Sequence, residues 1–450
     1  MAGKATIVST LSAAAILILI GVGVVFSVNG GRNATRRLTG DPVGTEARSP
    51  ASVPILINAT AQEFEEPIAG KTYYLATNGK DKNKGTKKKK PFLTLARAVS
   101  VLKPGDTLLI RAGEYVASSQ IAETPSGTSW ANPVTIKSFP DETPTLRPEP
   151  GETAIAFRRG KSYIVIDGFL IDAAGGHDGI KINNGNHHIR IVNCEIKNAS
   201  NQGIITADKA MGTGFNEFIN CRVHDNGTRQ NYDHGFYLET DNELVDKCQV
   251  YNNAAYGIHI YADDASNITV RNSEVFGHHK AAGILVGTGN GHKIYNNIVY
   301  NNAWGIAIFY GGGGAVFNNT VCDNDAFGIY VCCQAAASTI DNNIVFGNGG
   351  AGIFVEDTTV ADQTCRNNLS VKNGGGDLVD RFQKAVGTNN LIGDQFDPRF
   401  VDAAAHDYRL RAGSSAIDAG LTIETLTTDA RGNSRPQGVA FDIGAYERAP

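Results

Sequence analysis

One stretch of the sequence concentrates side chains that can move protons and hold charge. It runs Thr228-Arg229-Gln230-Asn231-Tyr232-Asp233-His234-Gly235-Phe236-Tyr237-Leu238-Glu239, and Tyr256, His259 and Tyr261 follow. Histidine and tyrosine can exchange a proton with a substrate, while arginine or lysine can neutralise a carboxylate. Such a set suits β-elimination: a base removes a carbon-bound proton beside a carboxylate, and an acid protonates the departing oxygen. In that scheme His234 or His259 is the base, Tyr237 the base or the acid, and Arg229 or Lys181 the carboxylate partner. Asp233, Glu239, Tyr256, Tyr261 and Trp304 would line the substrate. Hydrolysis would instead need two carboxyls flanking the bond, and Asp233 with Glu239, Asp263 or Asp264 are the candidates. Asp263-Asp264 is only a weak calcium signal. Calcium is left open, and no other cofactor or metal ligand set is implied.

These residues act together only if something places them side by side, and an internal repeat from Asp178 to Asn373 supplies it. One register reads Asn193-Cys194, Asn220-Cys221, Lys247-Cys248, Asn272-Ser273, Asn296-Asn297, Asn318-Asn319, Asn342-Asn343 and Asn367-Asn368. Its second members lie 27, 27, 25, 24, 22, 24 and 25 residues apart. Two positions further on is an apolar column from Ile196 to Val345, and five positions on a polar one of Asn226, Asn253, His278, Asn302, Asn324, Asn348 and Asn373. A second register places glycine before an apolar residue, from Gly179-Ile180 through Gly235-Phe236 and Gly257-Ile258 to Gly352-Ile353. Each unit is too short to bury a core alone, so units must stack. Alternating β-branched residues argue for strands. Stacked asparagine amides can bond along the column, and Cys194, Cys221 and Cys248 in that column read as small buried fillers.

Alternation then orients the candidate residues. With Phe236, Leu238, Ile258 and Ile260 inward, Tyr237, Glu239, His259 and Tyr261 face outward on adjacent coils about 4.8 Å apart. Lys181 lies two coils away in the same column. The loop from Thr228 to His234 is longer than its counterparts, and long loops on rigid scaffolds favour function. The outward aromatic run Tyr251, Phe276, Tyr300 and Phe346 reads as stacking between coils.

Composition agrees with a solenoid. Glycine is abundant (51 residues), methionine and tryptophan are scarce (2 each), and the net charge of −4 gives no reason to expect a nucleic-acid partner. Leu95, Val99 and Leu102 fall at helical spacing before Pro104-Gly105-Asp106, as expected of a cap helix. The repeat pattern resembles the right-handed parallel β-helix superfamily that includes pectate lyases and other polysaccharide lyases. The opening segment, with Asn78-Gly79, Gly85-Thr86, Pro91-Phe92 and Pro104-Gly105-Asp106-Thr107, is similar to the start of many bacterial members. The tail, with Asp397-Pro398-Arg399-Phe400, Ala416-Ile417-Asp418-Ala419-Gly420 and Asp442-Ile443-Gly444-Ala445-Tyr446-Glu447, is similar to one common in exported β-helix proteins.

The resemblance implies an all-β, right-handed parallel β-helix with an N-terminal cap helix and a C-terminal capping tail. It also implies an exported carbohydrate-active protein, with a lyase on an acidic, uronate-containing polysaccharide as the leading reading and a monomer as the expected state. The rival is a non-catalytic adhesin or glycan-binding protein. A uronan C5-epimerase shares the chemistry, but such epimerases carry Asp-Pro-His where this chain has Asp233-His234-Gly235. The aspartate cluster of the polygalacturonases is absent, which weighs against a hydrolase.

Along the chain, residues 1–30 read as a signal peptide or membrane anchor built on the apolar run Ile7 to Val28, and 31–70 as a linker. Residues 71–148 read as the cap and first coils, 149–376 as the repeats and 377–450 as the capping region. An extracytoplasmic location follows, secreted or held at the membrane by the uncleaved segment. The states of Cys322, Cys332, Cys333 and Cys365 are not fixed by spacing.

Overall fold

The computed structural model describes residues 70–261, 265–356 and 362–449. The apolar run, the linker and the Asp263-Asp264 pair lie outside the described residues. No helix among the described residues is long and apolar enough to cross a membrane.

Short strands stack into three long parallel sheets of 13, 12 and 10 strands, here sheets 1, 2 and 3. The chain visits them in turn. Ile180–Ile182 belongs to sheet 3, His187–Val192 to sheet 1 and Glu195–Lys197 to sheet 2, and Ile204–Thr206 then returns to sheet 3 one coil on. Strands of three residues cannot stand alone. They persist because each pairs with the coil before and the coil after, in unbroken register: Ile205 with Lys181, Tyr237 with Ile205, and His259 with Tyr237.

Inside, the glycine-apolar register forms a column of Ile180, Ile204, Phe236, Ile258, Ile284, Ile306, Ile329 and Ile353, all essentially without solvent exposure. Between the sheets, the asparagine columns form amide ladders. Each of Asn297, Asn319, Asn343 and Asn368 donates its side-chain amide to the Oδ1 of the next, at 3.0 Å, the series running on to Asn390. A second ladder links Asn302, Asn324, Asn348 and Asn373. These bonds satisfy turn amides that water does not reach. Cys194, Cys221 and Cys248 are buried fillers at the head of the first ladder, and burial pushes the Cys194 and Cys221 thiols up. Cys322 and Cys365 are buried free thiols, whereas the adjacent Cys332 and Cys333 form a disulfide.

Turns between sheets need left-handed backbone, which asparagine tolerates and bulky residues resist by about 1–2 kcal/mol. Asn193, Asn220, Asn272, Asn296, Asn318, Asn342 and Asn367 all have φ between 51° and 55°. A different left-handed column, at the start of sheet 1, runs Tyr163, His188, Phe215, Asn242, Asn267 and Gly291. Three of its six members are bulky rings.

The one helix of the opening segment, α1 (Leu95–Val99), is capped by the Thr94 hydroxyl and buries Leu95, Ala98 and Val99. The C-terminal region does more than close an end. It carries the antiparallel pair Phe400–Asp402 and Asp407–Leu410, then runs back along the flank of the rod. There the left-handed asparagines receive it: Asn296 donates to Thr428, Asn318 to Asp442 and Gly444, Asn342 to Leu421, and Asn367 to Ala419. A fully buried Arg435–Glu447 ion pair (2.6 Å) locks the tail. The aromatic run on sheet 2 stacks at 5.0 Å spacing through Tyr251, Phe276 and Tyr300, and His406 and Tyr408 of the tail cover it.

Candidate functional site

The outer face of sheet 3 gathers five of the residues singled out in the sequence. Phe236–Leu238 and Ile258–Ile260 pair in parallel with Tyr237 directly opposite His259. Their rings stack at 5.1 Å and 19°. Tyr261 stacks on the other side of His259 at 5.1 Å, and Tyr256 closes against it at 4.6 Å. His234 sits edge-on to His259 at 4.5 Å. Alternation sends His259 outward, yet these rings cover it, so it is only 8% exposed, and His234 only 2%.

The two imidazoles form a directional chain. The Tyr256 backbone N–H donates to His234 Nδ1 (3.3 Å), so His234 carries its proton on Nε2. That N–H points to His259 Nδ1 at 3.0 Å, which leaves the His259 proton on Nε2. The tautomers are thus assigned by the network. His259 Nε2 is buried and has no hydrogen-bond partner among the described residues. Burial holds both rings neutral: His234 is lowered to about 3 and His259 lies well below the usual imidazole value. What His259 offers is therefore a neutral N–H donor in a dry aromatic setting, a costly group to leave unpaired.

The long loop is built to fix His234. The Asp233 carboxylate is fully buried and accepts the backbone N–H of Thr228 (3.0 Å) and of Arg229 (2.7 Å). The Arg229 guanidinium binds both of its oxygens, at 2.6 Å for the shortest contact. Burial alone would raise this carboxyl, but the Arg229 and backbone hydrogen bonds outweigh it and hold Asp233 below its usual range. Gln202 on the preceding coil accepts from the His234 backbone N–H (2.6 Å) and donates to the Tyr232 carbonyl (2.7 Å).

Arg229 is turned onto Asp233. Lys181 lies in the Tyr237 column with Ile205 between them. Glu239 is half-buried, just past the Tyr237 strand and on the coil before Tyr261. Trp304 belongs to an apolar patch on later coils with Phe309 and Tyr330, beside the Cys332–Cys333 disulfide. Among the described residues no group of three or more His, Cys, Asp or Glu is placed to hold a metal ion.

The sequence matches the family model described as "Pel9A-like, right handed beta helix region" over residues 73–376. The chain belongs to the Pel9A-like right-handed β-helix family. The solved structure of pectate lyase Pel9A is similar at a TM-score of 0.62 and 17% identity, covering 85% of this chain and 97% of that one. The mannuronan C-5 epimerase AlgE6 A-module of Azotobacter vinelandii aligns at a TM-score of 0.49 and 13% identity, covering 66% of this chain and 93% of that module. An uncharacterized protein, YwoF of Bacillus subtilis (strain 168), is 33% identical over 111 residues, 24% of this chain and 23% of that protein. The matched stretch thus spans about a quarter of that relative. At 17% identity the match to pectate lyase Pel9A shows the fold alone. What the site does must be argued from its own groups.

Proposed function

We propose that this Pel9A-like protein acts on a uronate-containing polysaccharide outside the cytoplasm and cleaves it by β-elimination at the Tyr237–His259 face. The observation that carries the reading is the His259 Nε2–H, without a hydrogen-bond partner among the described residues and held beside the Tyr237 ring by a hydrogen-bond chain that begins at the Tyr256 backbone. A neutral donor in a dry pocket matches a sugar carboxylate or glycosidic oxygen better than it matches water. In the reaction the C5 proton leaves, the C4–C5 double bond forms and the C4–O bond breaks. Tyr237 exchanges the proton, His259 donates to the uronate oxygen where charge builds, and Lys181 pairs with the carboxylate of a neighbouring sugar. Arg229 contributes by fixing the loop through Asp233.

The test is incubation of the full chain with pectate, alginate and glycosaminoglycans, with and without calcium, following the ultraviolet absorbance of the unsaturated product. Product formation that Tyr237→Phe abolishes supports the reading. No product with any of these polymers, alongside undiminished binding, would replace it with the second reading.

That second reading is glycan binding without turnover. It draws on the exposure of only 2% and 8% for the two imidazoles, and on the aromatic surface of Tyr256 and Tyr261 around them. Retention on an acidic-glycan column with no chain shortening would select it.

A further inference from the structure

A second cluster of rings lies around the corner from the Tyr237 face, where each coil turns from sheet 3 into sheet 1. Tyr163, His188 and Phe215 occupy the same register position on consecutive coils. Tyr163 and His188 sit at 4.7 Å, and His188 and Phe215 stack at 5.0 Å and 8°. Trp130 braces the start of this ladder, edge-on to Tyr163 at 5.5 Å and packed over the Arg190 guanidinium at 3.9 Å, which itself pairs with Glu217 at 2.7 Å.

Backbone geometry makes the ladder unusual. Tyr163, His188 and Phe215 have φ of 54°, 53° and 57°. The next three coils meet the same left-handed requirement with Asn242, Asn267 and Gly291, the residue types that tolerate it. A bulky ring held in this conformation is a cost that packing against the ladder alone does not require, since the later coils stack without it. Such outliers point to function.

The ladder also stops at an informative place. Phe215 is half-exposed (50%), and the position stacked over it belongs to Asn242, which has no ring to continue the series. Asn242 lies on the Tyr237 coil, three residues beyond Glu239. Beside it, Lys209 and Asp241 form a 3.0 Å ion pair, and both remain partly exposed, so hydrogen-bonding groups flank the open ring face. An aromatic face bordered by charged and amide groups suits a pyranose, whose C–H face packs on the ring while its hydroxyls meet the rim.

We propose that the open face of Phe215 is a sugar-binding subsite, taking one pyranose of a glycan that also reaches the Tyr237–His259 face. The inference rests on the carbohydrate reading above. It adds a place where a chain is held as it bends around the corner of the rod.

The experiment uses Phe215→Asn, which installs the residue type found on the next coil and so relieves the backbone instead of endangering the fold. Titration calorimetry with short and long acidic oligosaccharides is compared for the full chain, Phe215→Asn, Phe215→Tyr and His259→Ala. The expected result is an unchanged or raised melting temperature for Phe215→Asn, with affinity for long chains reduced roughly three- to tenfold. Short chains should bind as before, and Phe215→Tyr should retain the long-chain affinity. If Phe215→Asn binds long chains like the parent while His259→Ala loses them, the subsite is refuted and the main site stands. If the parent binds no glycan, both readings fall together.

Discussion

His234 Nε2 lies 3.0 Å from His259 Nδ1, and the two rings are edge-on at 84°. Because the Tyr256 N–H occupies the far nitrogen of His234, the pair has one polarity: His259 presents a buried Nε2–H donor beneath the covering rings and no basic lone pair. This separates two roles that residue type alone leaves merged. A donor at His259 can be replaced by another donor. His259→Gln should therefore keep a larger share of any glycan affinity or turnover than His259→Ala, which should lose roughly tenfold or more. Steady-state kinetics and calorimetry on both variants check this, and equal losses would remove the donor assignment.

Tyr237→Phe deletes a single oxygen from the same wall. Its ring still stacks on His259, so affinity should change little while turnover on a polyuronate falls at least about a hundredfold. A fall in affinity with unchanged turnover would relegate Tyr237 to binding.

Acid should destabilise the fold through its buried imidazoles. Burial lowers His234 to about 3, and His278 and His292 to about 4, against 6.5 when exposed. Between those values the unfolded chain binds more protons than the fold, so stability should fall as pH drops from about 6.5 toward 4. Urea midpoints across that window check the slope, and His278→Asn, which restores the ladder amide, should flatten it. Because Glu243 titrates in the opposite sense across part of this window, the decisive series is run on Glu243→Gln, where a midpoint independent of pH would contradict the burial.

Glu243 acts in the opposite direction. It is wholly buried, accepts from the Thr240 hydroxyl and from Asn216 Nδ2 at 3.1 Å, and burial raises it to about 8 from 4.5. The fold keeps this proton while the unfolded chain gives it up, so stability should decline as pH rises from 4.5 toward 8. Glu243→Gln should remove that decline and stabilise the protein at neutral pH, on the order of a few kcal/mol. Thermal melts of the two proteins at pH 5 and pH 8 decide it: the gain should be larger at pH 8.

The amide ladders should behave as linked series. Asn319→Ala removes the Oδ1 to which the Asn297 backbone N–H and side-chain amide both donate, leaving that buried backbone N–H without its acceptor at a cost of about 1–3 kcal/mol. A denaturant series in which Asn319→Ala matches the parent would show that the ladder adds nothing.

Much of this rod was legible in the sequence, because its physics repeats. Asn297, Asn319, Asn343 and Asn368 announce a ladder by type and spacing, and Gly235-Phe236 over Gly257-Ile258 fixes which way Tyr237 and His259 point. What alternation cannot carry is how long side chains fold over one another. Nothing in the spacing shows that Tyr256 and Tyr261 cover His259, or that Arg229 turns onto Asp233 in preference to the groove. Backbone sign is also invisible to hydropathy. Tyr163, His188 and Phe215 look like ordinary strand-edge residues until their positive φ values set them beside Asn242 and Asn267. The signal that could have found them was a ring standing where the neighbouring coils place asparagine.

The tail on the flank has a consequence for the order in which the protein is made. Coils can lay down one after another as they leave the ribosome, each new lap templated by the last. The side that presents Asn296, Asn318, Asn342 and Asn367 has no such template, since their partners between Ala419 and Gly444 are translated after every coil. That wall stays wet until those partners have been made. A nascent chain stalled before Ala419 would be a rod with a bare seam, and the stretch from Ala419 to Gly444 is what welds it shut.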